Sequence, residues 1–285
     1  MTTLPAADVS TQARRRYWTQ QMEAAFAFME TMSRYPITES GEPFAPLREA
    51  LEGVEVRFST SCINGTFPRV YFLRRPLVES LRGVAEAMNR RGWVLKIEDA
   101  YRSPAMQRAQ SHNPLHFDAI LEKVRWELGG ALPDAALMMR RVSAMIATRC
   151  RVGTHLSGSA IDLSVFDRAS GREIDRGGSY IEFSERTPMA SPFITPEQRR
   201  NRDEIEALML EHGWYAYPYE FWHYSSGDCY AESLAGSGRP ARFGPVRFEE
   251  GSPLAFIGEA ESLEWLEPVA FYEAQIEAVL ARAGR

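Results

Sequence analysis

The run Ala160-Ile161-Asp162-Leu163-Ser164-Val165 limits this chain more than any other part of it. Ile161, Leu163 and Val165 alternate with Asp162 and Ser164, the period-two pattern of a half-buried strand. A carboxylate in the middle of such a strand is costly to bury without a partner. A cation at Asp162, either a metal ion or an arginine, would resolve that cost. His155 lies seven residues earlier, an odd separation that would put the two side chains on opposite faces of one continuous strand. The Ser157-Gly158 turn between them removes that objection, because it allows His155 to fold back over the strand.

Only five histidines are available: His112, His116, His155, His212 and His223. His112 and His116 have the i,i+4 spacing of a helical metal pair. Their sequence is HNPLH, however, without the Glu of a helical zinc motif and with Pro114 between them. His212 precedes Gly213 near a helix end, where an imidazole suits the helix dipole. Glu220 and His223 stand three apart in YEFWHY, among five aromatic residues from Tyr217 to Tyr224, which could form a dry wall around the carboxyl. Arg102, just after a strand in EDAYRS, is a candidate for an inward-pointing cation.

Around these residues the pattern mixes helices and strands without regular alternation. It predicts an α+β fold, a single domain with a mixed or antiparallel central sheet flanked by helices. Helices are expected over 10–35, from Pro76 to about 91, over 104–128 and 134–150, from Thr195, and over 267–283. Strands are expected near 54–58, 70–73, 93–100 and 161–165, and in the aromatic run before His223. Residues 36–50 read as a connector, 167–195 as a long irregular loop, and 232–266 as loop-rich. The domain reading is an N-terminal helical extension (1–45), a core (46–231) and a C-terminal extension (232–285).

The formal net charge of −5 gives no basic stripe for nucleic acid. Three scattered cysteines make no disulfide framework and read as buried or partly buried thiols. Neither a secretory leader nor a membrane span is visible, so the cytoplasm is the expected location.

Taken together, the motifs carry a resemblance. Gly153-Thr154-His155-Leu156-Ser157-Gly158-Ser159-Ala160-Ile161-Asp162 resembles the SxHxxGxAxD pattern of the D-alanyl-D-alanine dipeptidase and carboxypeptidase family of zinc peptidases, with Gly153 in place of Ser. Glu220-Phe221-Trp222-His223 resembles its ExWH, and Tyr101-Arg102 also fits. The dipeptidase branch is closest, over about residues 50–230. The resemblance implies the fold shared with Hedgehog-type domains and one zinc per chain on His155, Asp162 and His223. It also implies Glu220 as catalytic base and Arg102 as stabiliser of the oxyanion. The implied substrate is D-Ala-D-Ala or a related small D-amino-acid dipeptide. A carboxypeptidase acting on longer cell-wall peptides and a non-catalytic metal-binding module are the alternatives. Glu185 or Asp175 is a candidate partner for a substrate ammonium, and a homodimer is left open.

Overall fold

The computed structural model describes residues 10–283. At its centre is a five-stranded sheet in the order Val56–Phe58, Trp93–Asp99, Ala160–Asp167, His223–Ser225, Tyr215–Ala216. The first pair is parallel and the others antiparallel, so the sheet is mixed, as predicted. The alternation in Ala160–Asp167 works as the sequence suggests. Ile161, Leu163 and Val165 join Leu95 and Ile97 in the main core, under the helices Val78–Arg90 and Pro196–Glu211. Asp162 therefore points to the opposite face, where the site forms.

That opposite face is covered by a helical layer with its own core. The long helix Thr11–Met32 packs against Pro114–Glu127 and Ala135–Met145, and Val269–Ala283 packs on the same pair. Trp18, Met22, Phe117, Ile120, Met138 and Tyr272 are buried between them. Buried Arg141 ties the layer together, with Nη1 on Glu23 at 2.7 Å and Nη2 on Glu127 at 2.5 Å.

Local signals account for most element ends. Thr195 and Gln198 form the capping box that opens Pro196–Glu211, and His212 caps its far end. Three expectations need correction. Residues 36–50 contain a strand, Phe44–Pro46, and a short helix, Leu47–Ala50, because Phe44–Pro46 pairs with Phe72–Arg74. Residues 104–128 form two helices, Pro104–Ser111 and Pro114–Glu127. Pro114 disfavours a continuous helix, and Asn113 accepts from Leu115 N to start the second. Cys62 is exposed, whereas Cys150 and Cys229 are buried. No helix among the described residues is long and apolar enough to cross a membrane.

Candidate active site

The Ser157-Gly158 turn sets the site. Gly158 has φ +66°, and a Cβ there would lie 1.8 Å from the Phe44 ring, so only glycine fits. Arg74, fully buried, anchors the same turn by donating to the Ser157 carbonyl at 2.7 Å. The turn carries His155 back over the strand and places its Nε2 3.2 Å from Asp162 Oδ1. From the neighbouring strand His223, the direct cross-strand partner of Asp162, brings Nδ1 to 2.9 Å from the same oxygen. One ligand atom from each of His155, Asp162 and His223 lies within 4.8 Å of the others, and all three residues are buried.

The His223 end rests on a different scaffold. Arg176 donates to the carbonyls of Phe221 and Leu163, and Arg202 to those of Arg176 and Pro188. Both guanidiniums lie over the Phe221 ring, at 4.9 and 4.3 Å. Burial, with the neighbouring Arg176 and Arg199, pushes Arg202 down to about 9. The two arginines pin the long loop 167–195 beneath the turn that presents Glu220 and His223.

The donor set fits a divalent metal. His155 Nδ1 lies 2.5 Å from the Ala100 carbonyl, so in the neutral ring Nδ1–H donates there. That leaves Nε2 as a bare lone pair turned on a carboxylate oxygen. A proton or a metal cation between them removes the repulsion. His223 is placed similarly, with its Nε2 2.9 Å from the Thr154 hydroxyl. Burial pushes the His223 imidazole below its usual range, which favours the neutral form a metal requires. For Asp162, burial opposes ionisation, but contact with His155 and His223 holds the carboxyl well below its usual range.

Glu220 is buried in the same cleft. Burial, reinforced by the charge of Asp162, pushes its carboxyl well above the ordinary range. Arg102 also lines the cleft. Its Nη2 donates to Asp162 Oδ2 at 3.0 Å, its Nε to Asp99 at 2.7 Å and its Nη1 to Gln107 at 3.3 Å. These bonds use three of the five guanidinium N–H groups.

Other sequence candidates lie elsewhere or play other parts. Glu185 is away from the cleft lining, bridging Arg14 at 2.6 Å and Lys123 at 2.7 Å. Asp175 accepts from Gly177 N and Gln198 Nε2 and holds the loop. His112 pairs with Glu267 and stacks on Phe271. His116 faces the cleft from the helical layer, its ring edge-on to Phe183. Burial, with Arg102 and Arg69 nearby, pushes it down to about 4. Gly153 lines the cleft as well. A Cβ there would sit 2.5 Å from Leu156 Cδ1, so a Ser at this position would require the end of the Leu156 side chain to shift.

Sequence reasoning missed three cleft residues. Tyr180 donates to Asp162 Oδ2 at 3.1 Å, and nothing in its loop marked it. Tyr217, read only as part of an aromatic wall, has a buried hydroxyl without a partner. Met29 enters from the Thr11–Met32 helix, too far along the chain for any motif to include it.

Curated D-alanyl-D-alanine dipeptidases match over short stretches. That of Enterococcus faecium is 32% identical over 71 residues (25% of this chain, 35% of the relative), and that of Escherichia coli (strain K12) is 34% identical over 70 (25% and 36%). The Synechocystis protein is 32% identical over 85 residues (26% and 34%). The chain thus spans about a third of the length of each relative. A solved structure titled for the LdcB LD-carboxypeptidase superposes with a TM-score of 0.37 at 16% identity, covering 74% of this chain and 81% of that one. The family model for D-ala-D-ala dipeptidase matches residues 46–235, about two thirds of the chain and inclusive of every motif described above. The chain therefore belongs to the D-Ala-D-Ala dipeptidase family.

Proposed function

We propose that this protein is a zinc-dependent peptidase that hydrolyses the amide bond of a D-alanyl-D-alanine unit, in D-Ala-D-Ala itself or in a larger cell-wall peptide. One observation carries the reading: three buried metal-ligating side chains converge in a cleft that also holds a separate buried carboxyl, Glu220. Three protein ligands with a neighbouring carboxylate is the usual composition of a hydrolytic zinc centre. His155, Asp162 and His223 would hold the metal, and when bound it supplies Lewis acidity and lowers the pKa of water.

The chain's own groups do the rest. The Ala100 carbonyl and the Thr154 hydroxyl fix the two imidazoles by their remaining nitrogens, which sets tautomer and ring orientation. Glu220, outside the ligand set, takes the proton of the attacking water and hands it to the leaving amine. Arg102 retains two N–H groups beyond its bonds to Asp99, Asp162 and Gln107, and these are available to the oxyanion of the tetrahedral intermediate. Tyr180 steadies the Asp162 oxygen that Arg102 also holds.

The test is elemental analysis of the purified full chain, with D-alanine release from D-Ala-D-Ala and from N-acetyl-D-Ala-D-Ala. We expect one zinc per chain and turnover of at least one substrate. Glu220→Gln should keep the zinc and lower kcat by about 10²–10⁴-fold, the usual contribution of a positioned base. A wild-type chain that holds zinc and cleaves neither substrate would sink the peptidase reading. A chain that cleaves without metal would sink the ligand assignment.

A further inference from the structure

The family model begins at residue 46, so the helix Thr11–Met32 lies wholly outside it. That helix nevertheless supplies part of the cleft wall. Met29 lines the cleft and is buried against Val152, Tyr217 and Tyr230. A methionine side chain is adaptable by itself, but the residues on either side hold this one in place. Phe28 packs on the rings of Tyr217 and Tyr230, with centroids 5.9 and 5.1 Å away. Glu30 pairs with Arg149 Nη1 at 2.8 Å. The helix is thus clamped at both neighbours of Met29, and the thioether cannot withdraw as a unit with its backbone.

The two ends of the cleft differ. Tyr217 and Tyr230 flank His223, with ring centroids 5.9 and 6.4 Å from its own, so Met29 closes the His223 end. Arg102 and Tyr180 hold the other oxygen of Asp162. On their side Tyr180, Ile181 and Gln110 also line an outer groove that contains Arg69. The cavity volume is about 50 Å³ in the cleft and about 270 Å³ in that groove. Positive charge and room therefore lie on the same side. With Asp162 assigned to the metal, Arg102 and Arg69 share one acid, Asp99, at 2.7 and 2.5 Å. Two guanidiniums on one carboxylate draw the carboxylate of a bound dipeptide to that side. Its amino-terminal residue is left facing the narrow end.

Resting on the peptidase reading above, we propose that Met29 is a specificity-determining residue. It meets the side chain of the dipeptide's amino-terminal residue and limits that side chain to a methyl group. The helix Thr11–Met32 is therefore a working part of the active-site wall, which selects D-alanine at that position over residues with larger side chains. The carboxy-terminal residue lies toward Arg102 and the wider groove, where Met29 does not reach.

The experiment measures kcat/KM of the zinc-loaded full chain on D-Ala-D-Ala, D-Leu-D-Ala and D-Ala-D-Leu. Wild type is compared with Met29→Ala, Met29→Val and Met29→Leu. Wild type should favour D-Ala-D-Ala over D-Leu-D-Ala by about tenfold or more, as a close-fitting apolar pocket does against added carbons. Met29→Ala should shift that ratio toward D-Leu-D-Ala by about tenfold or more. Met29→Val should shift it the same way by less, and it decides the matter should Met29→Ala not fold. Met29→Leu, close to the native volume, should keep the wild-type ratio. Zinc content and thermal midpoint of each variant confirm that it is folded. A purely structural role would lower all three substrates together and leave the ratio alone. An unchanged ratio in the folded Met29→Ala or Met29→Val chain, or a gain confined to D-Ala-D-Leu, overturns the inference. Silence of wild type on all three dipeptides removes the peptidase reading, and this inference falls with it.

Discussion

The two walls of the cleft are built on opposite plans. The sheet wall is polar and interlocked. Asp162, His155, His223 and Arg102 are buried, and each is held by protein partners: the Ala100 carbonyl, the Thr154 hydroxyl, Asp99, Gln107 and Tyr180. The helical wall is largely apolar, with Met29, Met145 and Ile146 and with Phe183 of the loop 167–195 beside them, and its one imidazole, His116, is neutral. The difference separates two tasks. Chemistry needs groups preorganised at fixed positions in a dry site, which the hydrogen-bonded sheet supplies. Selection needs a surface that can differ in shape without disturbing those positions, and helices packed from outside the sheet supply that.

The largest expected effect tests the sheet wall directly. Asp162→Ala removes a proposed metal ligand and leaves Arg102 and both imidazoles without their common partner. Stoichiometric zinc should be lost, and activity with it by about 10³-fold or more, since the centre and its base act as one unit. Retention of a full zinc equivalent would break the comparison, because the polar wall would then not be the metal's seat.

Next is the turn that connects the sheet wall to the rest of the molecule. Gly158→Ala forces a side chain into a left-handed conformation and against the Phe44 ring. We expect a loss of about 2–4 kcal/mol, from about 1 for the backbone and 1–3 for the overlap. It should be visible in denaturant unfolding, together with weaker zinc retention. An unchanged midpoint would mean that the turn is less fixed than the contacts indicate.

The smallest effect concerns the helical wall's attachment. Burial works against ionisation of Glu185, but Lys123 and Arg14 override it and hold the carboxyl down to about 2, against 4.5 unperturbed. A depressed acid stabilises the folded state fully above its unfolded pKa and loses that stabilisation as pH falls toward the folded value. The contribution should therefore be complete at pH 6 and fade between about 4.5 and 2. Glu185→Gln should cost about 1–3 kcal/mol at neutral pH, with the gap from wild type closing as pH falls. A pH-independent gap would assign the residue's role to packing and not to charge.

The same division explains what the sequence made legible. The sheet wall could be read because its residues fall in two short stretches with a local logic. Asp162 breaks an apolar alternation, Ser-Gly makes a turn, and Glu220 and His223 stand three apart in an aromatic run. The α+β class also followed from the irregular mixture of helix and strand patterns. The helical wall could not be read, since Met29, His116 and Ile146 meet only through tertiary packing of helices far apart in the chain. Nor could the pairing of Glu185, because its partners Arg14 and Lys123 lie 171 and 62 residues away. The strand Phe44–Pro46 was hidden by its prolines and appears only with its partner Phe72–Arg74.

The register of the central sheet has one more consequence. Asp162 stands opposite His223 on one side and, after a bulge between Ile97 and Asp99, opposite Asp99 on the other. A slip of one residue in either pairing would turn Asp162 to the core face or leave His223 without its neighbour. With the metal on His155, Asp162 and His223 as proposed, metal uptake would count correctly paired strands. In a refolded preparation, zinc bound per chain would report the fraction of molecules in native register, a quantity that secondary-structure spectroscopy would miss.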